Sequence, residues 1–533
     1  MRWKILLFAL ALALLVLVGC NEKPKCGNGV CDSLEQQNPN LCPKDCQNQP
    51  VCGNGSCETG ETATNCTQDC QQAVCGNGNC ESGETKSSCS QDCGSAILPT
   101  GQNTLDADGV FWGTEIYGDQ LASTKDVVDG VLKTKHLKIR VNAELGQTSF
   151  SPTICVPGGG GNCWNLDELA QEFEDNEYSM APMLSLEQKN ASSLSEEDIE
   201  NYVNFVDWFV SRYKEKANIE YVELQNAPMS AWKGTPEQLL EAQNKIYDKI
   251  KAKYPDIQVG TPGFEYMLDK EPSTDKAIEQ IEYFLDSSNE AKFDFWAFHM
   301  YPALDPDSHT TYAPTQSALL NKYSGMKGIL EIRKKMNENG WSDREMIDTE
   351  HTSISGGNGT YSESGDKTDA AYLIQAETIK RTLKVDGEFV LSGIVPLKMI
   401  SRTQGGEHAW GSLKPDNSAS YTVIAIATLL GKLNEYNHDS HVSGELDSED
   451  VWIEKFKDGS KELYVFFKPF NSSETMAEQL DQEEQNYSLS LDSVPSKITL
   501  SDIEGNETNV APSQSVSLQA KNSPQYLEVE YGS

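Results

Sequence analysis

Glu350 closes one strand-forming stretch, Met346-Ile-Asp-Thr-Glu-His351, and Asn226 closes another, Ile219-Glu-Tyr-Val-Glu-Leu-Gln-Asn226. Ile, Tyr and Val favour extended chain, and Pro228 cannot continue a sheet ladder, so Asn226 and the residue after it fall on the rim of a sheet. Rims at the carboxyl ends of parallel strands are where such folds keep reactive groups. A carboxylate there can attack carbon, move a proton or hold a hydroxyl. Residue 227, on the first rim, is alanine and can do none of these. No His/Glu pair stands at metal-ligand spacing on one helix, and no Gly-x-Ser-x-Gly elbow occurs, so metal-assisted and serine-based hydrolysis are poorly supported. Neither a catalytic metal nor a cofactor is expected.

Outward from the two rims, strand and helix patterns alternate from Val110 onward, which predicts a parallel sheet with crossover helices. Eight strands are expected, at 110–116, 136–142, 178–186, 219–226, 257–264, 293–301, 346–351 and 393–400. The helices between them are amphipathic. In 197–216, Ile199, Tyr202, Val203, Val206, Phe209 and Val210 share a face. A Thr-Pro start opens 236–253, and 420–433 closes the set. Eight such units predict an α/β fold, a (β/α)8 TIM barrel over residues 108–434, with an open doubly wound sheet as the alternative. No glycine-rich phosphate loop follows the first strand. The glycine run 158–161 lies between Cys155 and Cys163 and reads as a disulfide-tied loop on the active face. Beyond Leu433 the pattern turns to short strands at 451–456, 462–467, 486–491, 497–500, 515–519 and 526–531, which predicts an antiparallel β-sandwich over 435–533. The acidic, Ser-rich segment 471–485 reads as a solvated loop.

Composition sets the compartment. The chain has 533 residues and a formal charge of -38. That balance argues against nucleic acid or an anionic lipid surface, because nothing would neutralise phosphates. Arg2 and Lys4 precede an apolar run from Ile5 to Val18, and Leu17-Val18-Gly19-Cys20 resembles a lipobox. Residues 1–20 therefore read as a lipoprotein signal peptide with Cys20 as the lipidated residue, the alternative being an uncleaved anchor. An exported, surface-held, membrane-anchored protein is expected in either case. Of 15 cysteines, setting Cys20 aside leaves an even number, as a disulfide framework requires. Residues 26–93 hold three Cys-rich repeats, two of them Cys52-Gly-Asn-Gly-Ser-Cys57 and Cys75-Gly-Asn-Gly-Asn-Cys80 with their following cysteines. Units this small cannot bury a real core, so two disulfides each are expected, with cysteine zinc sites the competing reading. They resemble the Gly-Asn-Gly repeats of prokaryotic surface proteins and, faintly, a calcium-binding Notch-type repeat, in which Asp45, Asp69 and Asp92 would be the calcium ligands. Residues 94–107 form a linker.

The barrel with its sandwich resembles the clan A retaining glycoside hydrolases, nearest in layout to family 39. Asp348-Thr-Glu350 matches the family's strand-seven nucleophile pair, and His299-Met-Tyr301-Pro302 its strand-six ending. Arg140, in Lys-Ile-Arg-Val-Asn, and Trp410, in Ala-Trp-Gly-Ser-Leu, match its strand-two arginine and its sugar-flooring indole. The resemblance implies Glu350 as nucleophile, with Arg140, Asn226, His299, Tyr301 and Trp410 binding a carbohydrate. Packing roles for these residues stay open.

Strand four departs from the family. Asn226-Ala227-Pro228 carries alanine where the resemblance calls for the acid/base glutamate, and a retaining glycosidase needs two carboxyl groups about 5–5.5 Å apart. Losing a general acid costs about 10²–10⁴ in rate, least when the leaving group needs no proton. Glu223, four residues upstream on the same strand, is expected to lie roughly 13 Å too deep to replace it. Asp305, Glu407 and His408, in loops, are further substitutes. Three functions follow as expectations: a surface protein hydrolysing O-glycosidic bonds of an external polysaccharide or glycoside, a non-catalytic carbohydrate-binding or adhesion protein, or a structural spacer with a decayed barrel.

Overall fold

The computed structural model describes residues 107–116, 121–155, 163–188, 193–266, 273–300, 326–351, 361–396, 398–399, 411–444, 450–470 and 480–532. The leader with Cys20, the three repeats with Asp45, Asp69 and Asp92, and nearly all of the linker lie outside these residues. So do Tyr301, Trp410, Asp305, Glu407 and His408.

Ten short strands make one sheet of parallel pairs. They are β1 (Phe111–Trp112), β2 (Thr114–Ile116), β3 (His136–Glu144), β4 (Ser179–Glu187), β5 (Tyr221–Asn226), β6 (Gln258–Tyr266), β7 (Phe295–Met300), β8 (Glu345–Glu350), β9 (Gly393–Ile394) and β10 (Lys398–Met399). β1 and β2 are one run broken at Gly113. β1 pairs with β9 through Phe111 and Gly393, while β2 pairs with β3 through Thr114 and Leu137 and with β10 through Glu115 and Lys398. Both ends of the sheet thus meet on residues 111–116, and the result is a nearly closed, barrel-like sheet.

The helices are α1 (Leu121–Val127), α2 (Leu166–Asp175), α3 (Glu196–Tyr213), α4 (Pro228–Ala231), α5 (Pro236–Lys253), α6 (Ser273–Leu285), α7 (Met326–Glu338), α8 (Glu363–Thr382) and α9 (Tyr421–Leu433). Their starts are chemically marked. Ser195 and Asp198 close a capping box on α3, and Thr235 and Gln238 close one on α5 behind Pro236. The stripe expected on α3 is buried: Ile199, Tyr202, Val203, Val206, Phe209 and Val210 all pack into the main core.

The two-residue period of a strand sorts each side chain to one of two environments. Leu137, Ile139, Val222, Leu224, Trp296, Phe298 and Met346 belong to the core shared with the helices. The alternate positions Phe111, Ala181, Tyr221, Phe295, Ala297 and Ile347 form a separate apolar cluster within the sheet. Space there is tight: a Cβ on Gly260 would lie 2.3 Å from the Phe295 ring. Further along the same alternation lie the buried Glu115, Lys138, Glu223 and His299, and a register irregularity between Asp348 and Glu350 brings the buried Glu350 to the same side, beside Lys138 and His299.

The described residues of the C-terminal part hold eight antiparallel strands: β11 (Asn437–Ser443), β12 (Trp452–Asp458), β13 (Lys461–Phe467), β14 (Gln485–Ser490), β15 (Lys497–Ser501), β16 (Glu507–Val510), β17 (Ser515–Ala520) and β18 (Gln525–Glu530). Six of them form a sheet in the order β11-β12-β13-β18-β15-β16, and β14 pairs with β17. Ile453, Phe466, Leu527 and Val529 from the first sheet share a core with Leu489, Val516 and Leu518 from the second. Sequence pattern missed β11 and β16, which carry no run of buried apolar residues. The acidic segment also ends sooner than expected, because Gln485 already belongs to β14. Asp108 ties the two parts together: it pairs with Arg381 of α8 and accepts from the His438 amide of β11 at 2.7 Å.

Candidate functional site

β5 stops pairing regularly before it ends. It meets β4 only at Met183–Glu223 and Leu184–Leu224, and its register against β6 shifts twice. Side chains take over from the backbone ladder: Gln225 Oε1 accepts from the Leu186 amide at 3.1 Å, and Ser185 Oγ accepts from the Asn226 amide at 2.8 Å. Gln225 and Ala227 both have φ of 44°. Each left-handed non-glycine residue costs on the order of 1–3 kcal/mol, and such strain concentrates at functional rims. Ala227 is 3% exposed, its amide donating to Gly263 O at 3.1 Å, and Pro228 then opens α4. Asn226 is half-buried, and its Oδ1 has no hydrogen-bond partner among the described residues.

Glu350 ends β8 three strand positions away from β5, also at the carboxyl end, and is 5% exposed. Arg140 Nη2 lies 2.9 Å from its Oε2, Lys138 Nζ 3.6 Å and His299 Nδ1 4.0 Å. Two cations this close favour the ionised carboxylate. Of the residues singled out in the sequence, Arg140, His299 and Glu350 are therefore brought together. Asn226 and Ala227 stand on the same rim, joined to them through Gly263.

Glu223 is not isolated at depth. Its Oε1 is 2.8 Å from His299 Nε2, its Oε2 3.2 Å from Lys138 Nζ, and it shares both partners with Glu350. Burial pushes the Glu223 carboxyl up, but Lys138 and then His299 outweigh burial and hold it below the usual carboxylate range. Glu223 is 2% exposed, and left-handed backbone at Gln225 and Ala227 interrupts the extended strand between it and position 227. Gly263 makes room for this pair: a Cβ there would sit 2.1 Å from Glu223 Oε1 and 2.4 Å from His299 Nε2.

Lys138 and Glu115 were not singled out in the sequence. Lys138 Nζ donates to Thr349 O at 2.9 Å and lies 3.8 Å from Glu115, whose two oxygens have no hydrogen-bond partner among the described residues. A signal was present. In His136-Leu-Lys138-Ile-Arg140 the polar residues alternate strictly with apolar ones, and in a strand covered on both faces that marks an inward polar set.

On the helix side of β8 a second charged group is fully buried. Lys380 of α8 lies 2.6 Å from both Asp348 and Glu377, and His351 Nε2 lies 3.6 Å from Glu377. Burial, opposed by Lys380 and reinforced by Asp348, pushes the Glu377 carboxyl up to about 7. Among the described residues no group of three or more His, Cys, Asp or Glu side chains is arranged to hold a metal ion.

No protein-family model matches the chain, and no curated protein matches it. Solved structures do. A family 39 glycoside hydrolase from the gut symbiont Bacteroides cellulosilyticus WH2 superposes with a TM-score of 0.56 at 15% identity, covering 79% of this chain and 80% of the other. BuGH86 in complex with neoagarooctaose gives 0.52 at 12% identity over 80% of this chain and 78% of the other. A glucosidase from Croceicoccus marinus gives 0.51 at 14% identity, over 82% of this chain and 98% of the other. At such identities the likeness establishes a glycoside-hydrolase-like fold, and the roles of individual residues must rest on the geometry above.

Proposed function

We propose that this chain is a surface-held protein of glycoside-hydrolase descent that takes O-glycosidic sugars of an external polysaccharide or glycoside at the rim shared by Asn226, His299 and Glu350. The observation that carries this reading is Glu350 itself, a buried strand-end carboxylate 2.9 Å from the Arg140 guanidinium. Glu350 is the nucleophile, Asn226 and His299 bind hydroxyls, and Tyr301 and Trp410 complete the sugar site. Ala227 replaces the acid/base, so glycosyl transfer to Glu350 is fast only when the leaving group departs without a proton. The leader delivers the chain to the membrane, Cys20 carries the lipid, and the disulfide-closed repeats form a stalk.

Aryl glycosides with a dinitrophenolate leaving group test this, with and without azide. Dinitrophenolate departs unprotonated as Glu350 bonds to the anomeric carbon, and azide then attacks that carbon, needing no base, to give a glycosyl azide of retained configuration. Absence of both turnover and a glycosyl adduct on Glu350 across a panel of sugars rejects the hydrolase reading.

Alanine at position 227, which leaves no carboxyl group there to protonate a leaving group, favours a second reading in which the same rim binds saccharide without turnover. It predicts saturable binding on a glycan array with no product formed, and an array without hits removes it.

A further inference from the structure

Within the sheet one ammonium group serves three carboxylates. Lys138 Nζ lies 3.2 Å from Glu223, 3.6 Å from Glu350 and 3.8 Å from Glu115. All four residues are at most 5% exposed. Taking charges out of water is costly, and apolar side chains of similar volume would fill the space at least as well, as the cluster around Phe111 and Phe295 does nearby. A structural role alone leaves the charges unexplained. The geometry has a direction, too. Lys138 is fixed by Thr349 O, one residue before Glu350, while Glu223 fixes His299 Nε2 and leaves Nδ1 on the side of Glu350.

We propose that Lys138 and Glu223 are positioning residues for Glu350, Lys138 by holding its charge and Glu223 by orienting His299 and setting the field beside it. This rests on the reading of Glu350 as a nucleophile. Among the described residues, the charged and titratable groups around Glu350 are Arg140 and Lys138 from β3, Glu115 from β2, Glu223 from β5 and His299 from β7. Their signs make the roles separable. Removing the charge of Glu223 makes Glu350 easier to ionise, and removing that of Lys138 makes it harder.

The test uses the full chain grown with carboxyl-labelled glutamate, the Glu350 resonance being identified by its loss in Glu350→Gln. Glu223→Gln lowers the Glu350 titration midpoint by about one pH unit and Lys138→Met raises it by about one. Midpoints unmoved in both folded variants overturn the proposal. Should Glu223→Gln not fold, Glu115→Gln takes its place with the same downward sign, and an unmoved midpoint there counts equally against it. A 2-fluoroglycosyl fluoride, which traps a glycosyl ester on a nucleophilic carboxylate, is run in parallel on the unaltered protein. Shifted midpoints without any adduct keep the network and reject the nucleophile reading. An adduct with unshifted midpoints keeps the nucleophile and rejects the network.

Discussion

Arg140 and Glu350 are 210 residues apart in sequence, and Nη2 lies 2.9 Å from Oε2. β3 and β8 are not neighbours, so only a sheet curled until its ends meet on residues 111–116 can bring these side chains together. An opposite charge at this range lowers a carboxyl pKa by about 1–3 pH units. Arg140→Gln therefore moves the acid limb of Glu350 trapping upward by about that much, with Lys138 limiting the effect. The pH–rate profile of inactivation by a 2-fluoroglycosyl fluoride reads it, and a profile that falls uniformly without moving contradicts an electrostatic role.

Restoring an acid at position 227 separates a disabled enzyme from a binding protein. Ala227→Glu raises turnover of glycosides with poor leaving groups by about 10²–10⁴ and leaves activated aryl glycosides much less affected. The same substitution puts a longer side chain on a residue that is 3% exposed with φ of 44°, so the variant melts earlier. Rates across leaving groups of graded acidity, beside a thermal melt, give both numbers. A folded variant with no preference for poor leaving groups means the surroundings no longer support catalysis.

Much of this fold is legible because local chemistry and global architecture agree. Pro228 ends β5, Ser195 and Thr235 start α3 and α5, and a two-residue alternation marks β3. Other parts were not legible, for identifiable reasons. β11 is polar apart from Val442, and its place beside β12 is fixed by His438 and His441 meeting Glu454 at 3.0 and 2.9 Å, a contact with no local signature. The neighbours of Glu223 were not legible, because left-handed backbone at Gln225 and Ala227 cannot be foreseen from residues that rarely adopt it. The triple use of Lys138 needs three strands to be in register at once. Alternation shows which way its side chain points, but not what it meets.

Gly263 is where the pair of Glu223 and His299 is most open to a steric test. A methyl group there would overlap both side chains, at 2.1 and 2.4 Å. Overpacking of this kind costs about 1–3 kcal/mol. Gly263→Ala therefore lowers the urea midpoint by a corresponding amount, and Glu223→Ala made in the same chain recovers part of the loss by emptying the space. A double variant no more stable than the single one shows that the crowding lies elsewhere.

Glu377 gives the fold a pH dependence of definite sign. Its carboxyl lies near 7 when folded, raised from 4.5 chiefly by burial and despite Lys380. Between these values the native state holds a proton that the unfolded chain has lost, so stability falls as pH rises through this window and levels off above about 7. Glu454 works in the opposite sense: His438 and His441 outweigh burial and lower its carboxyl, so its contribution is complete above the unfolded value and is lost as pH falls through the folded one. The two are distinguishable by substitution. Glu377→Gln keeps the shape and cannot ionise. Between pH 4 and pH 8 it is expected to gain roughly 3 kcal/mol relative to the parent chain, because each pH unit between the folded and unfolded values is worth about 1.4 kcal/mol. The absolute stability of the variant is a separate matter, because Lys380 loses one of its two carboxylates. Only the difference in slope bears on the buried proton, and chemical denaturation at closely spaced pH values measures it. Parallel slopes in parent and variant place that proton on another group of the cluster.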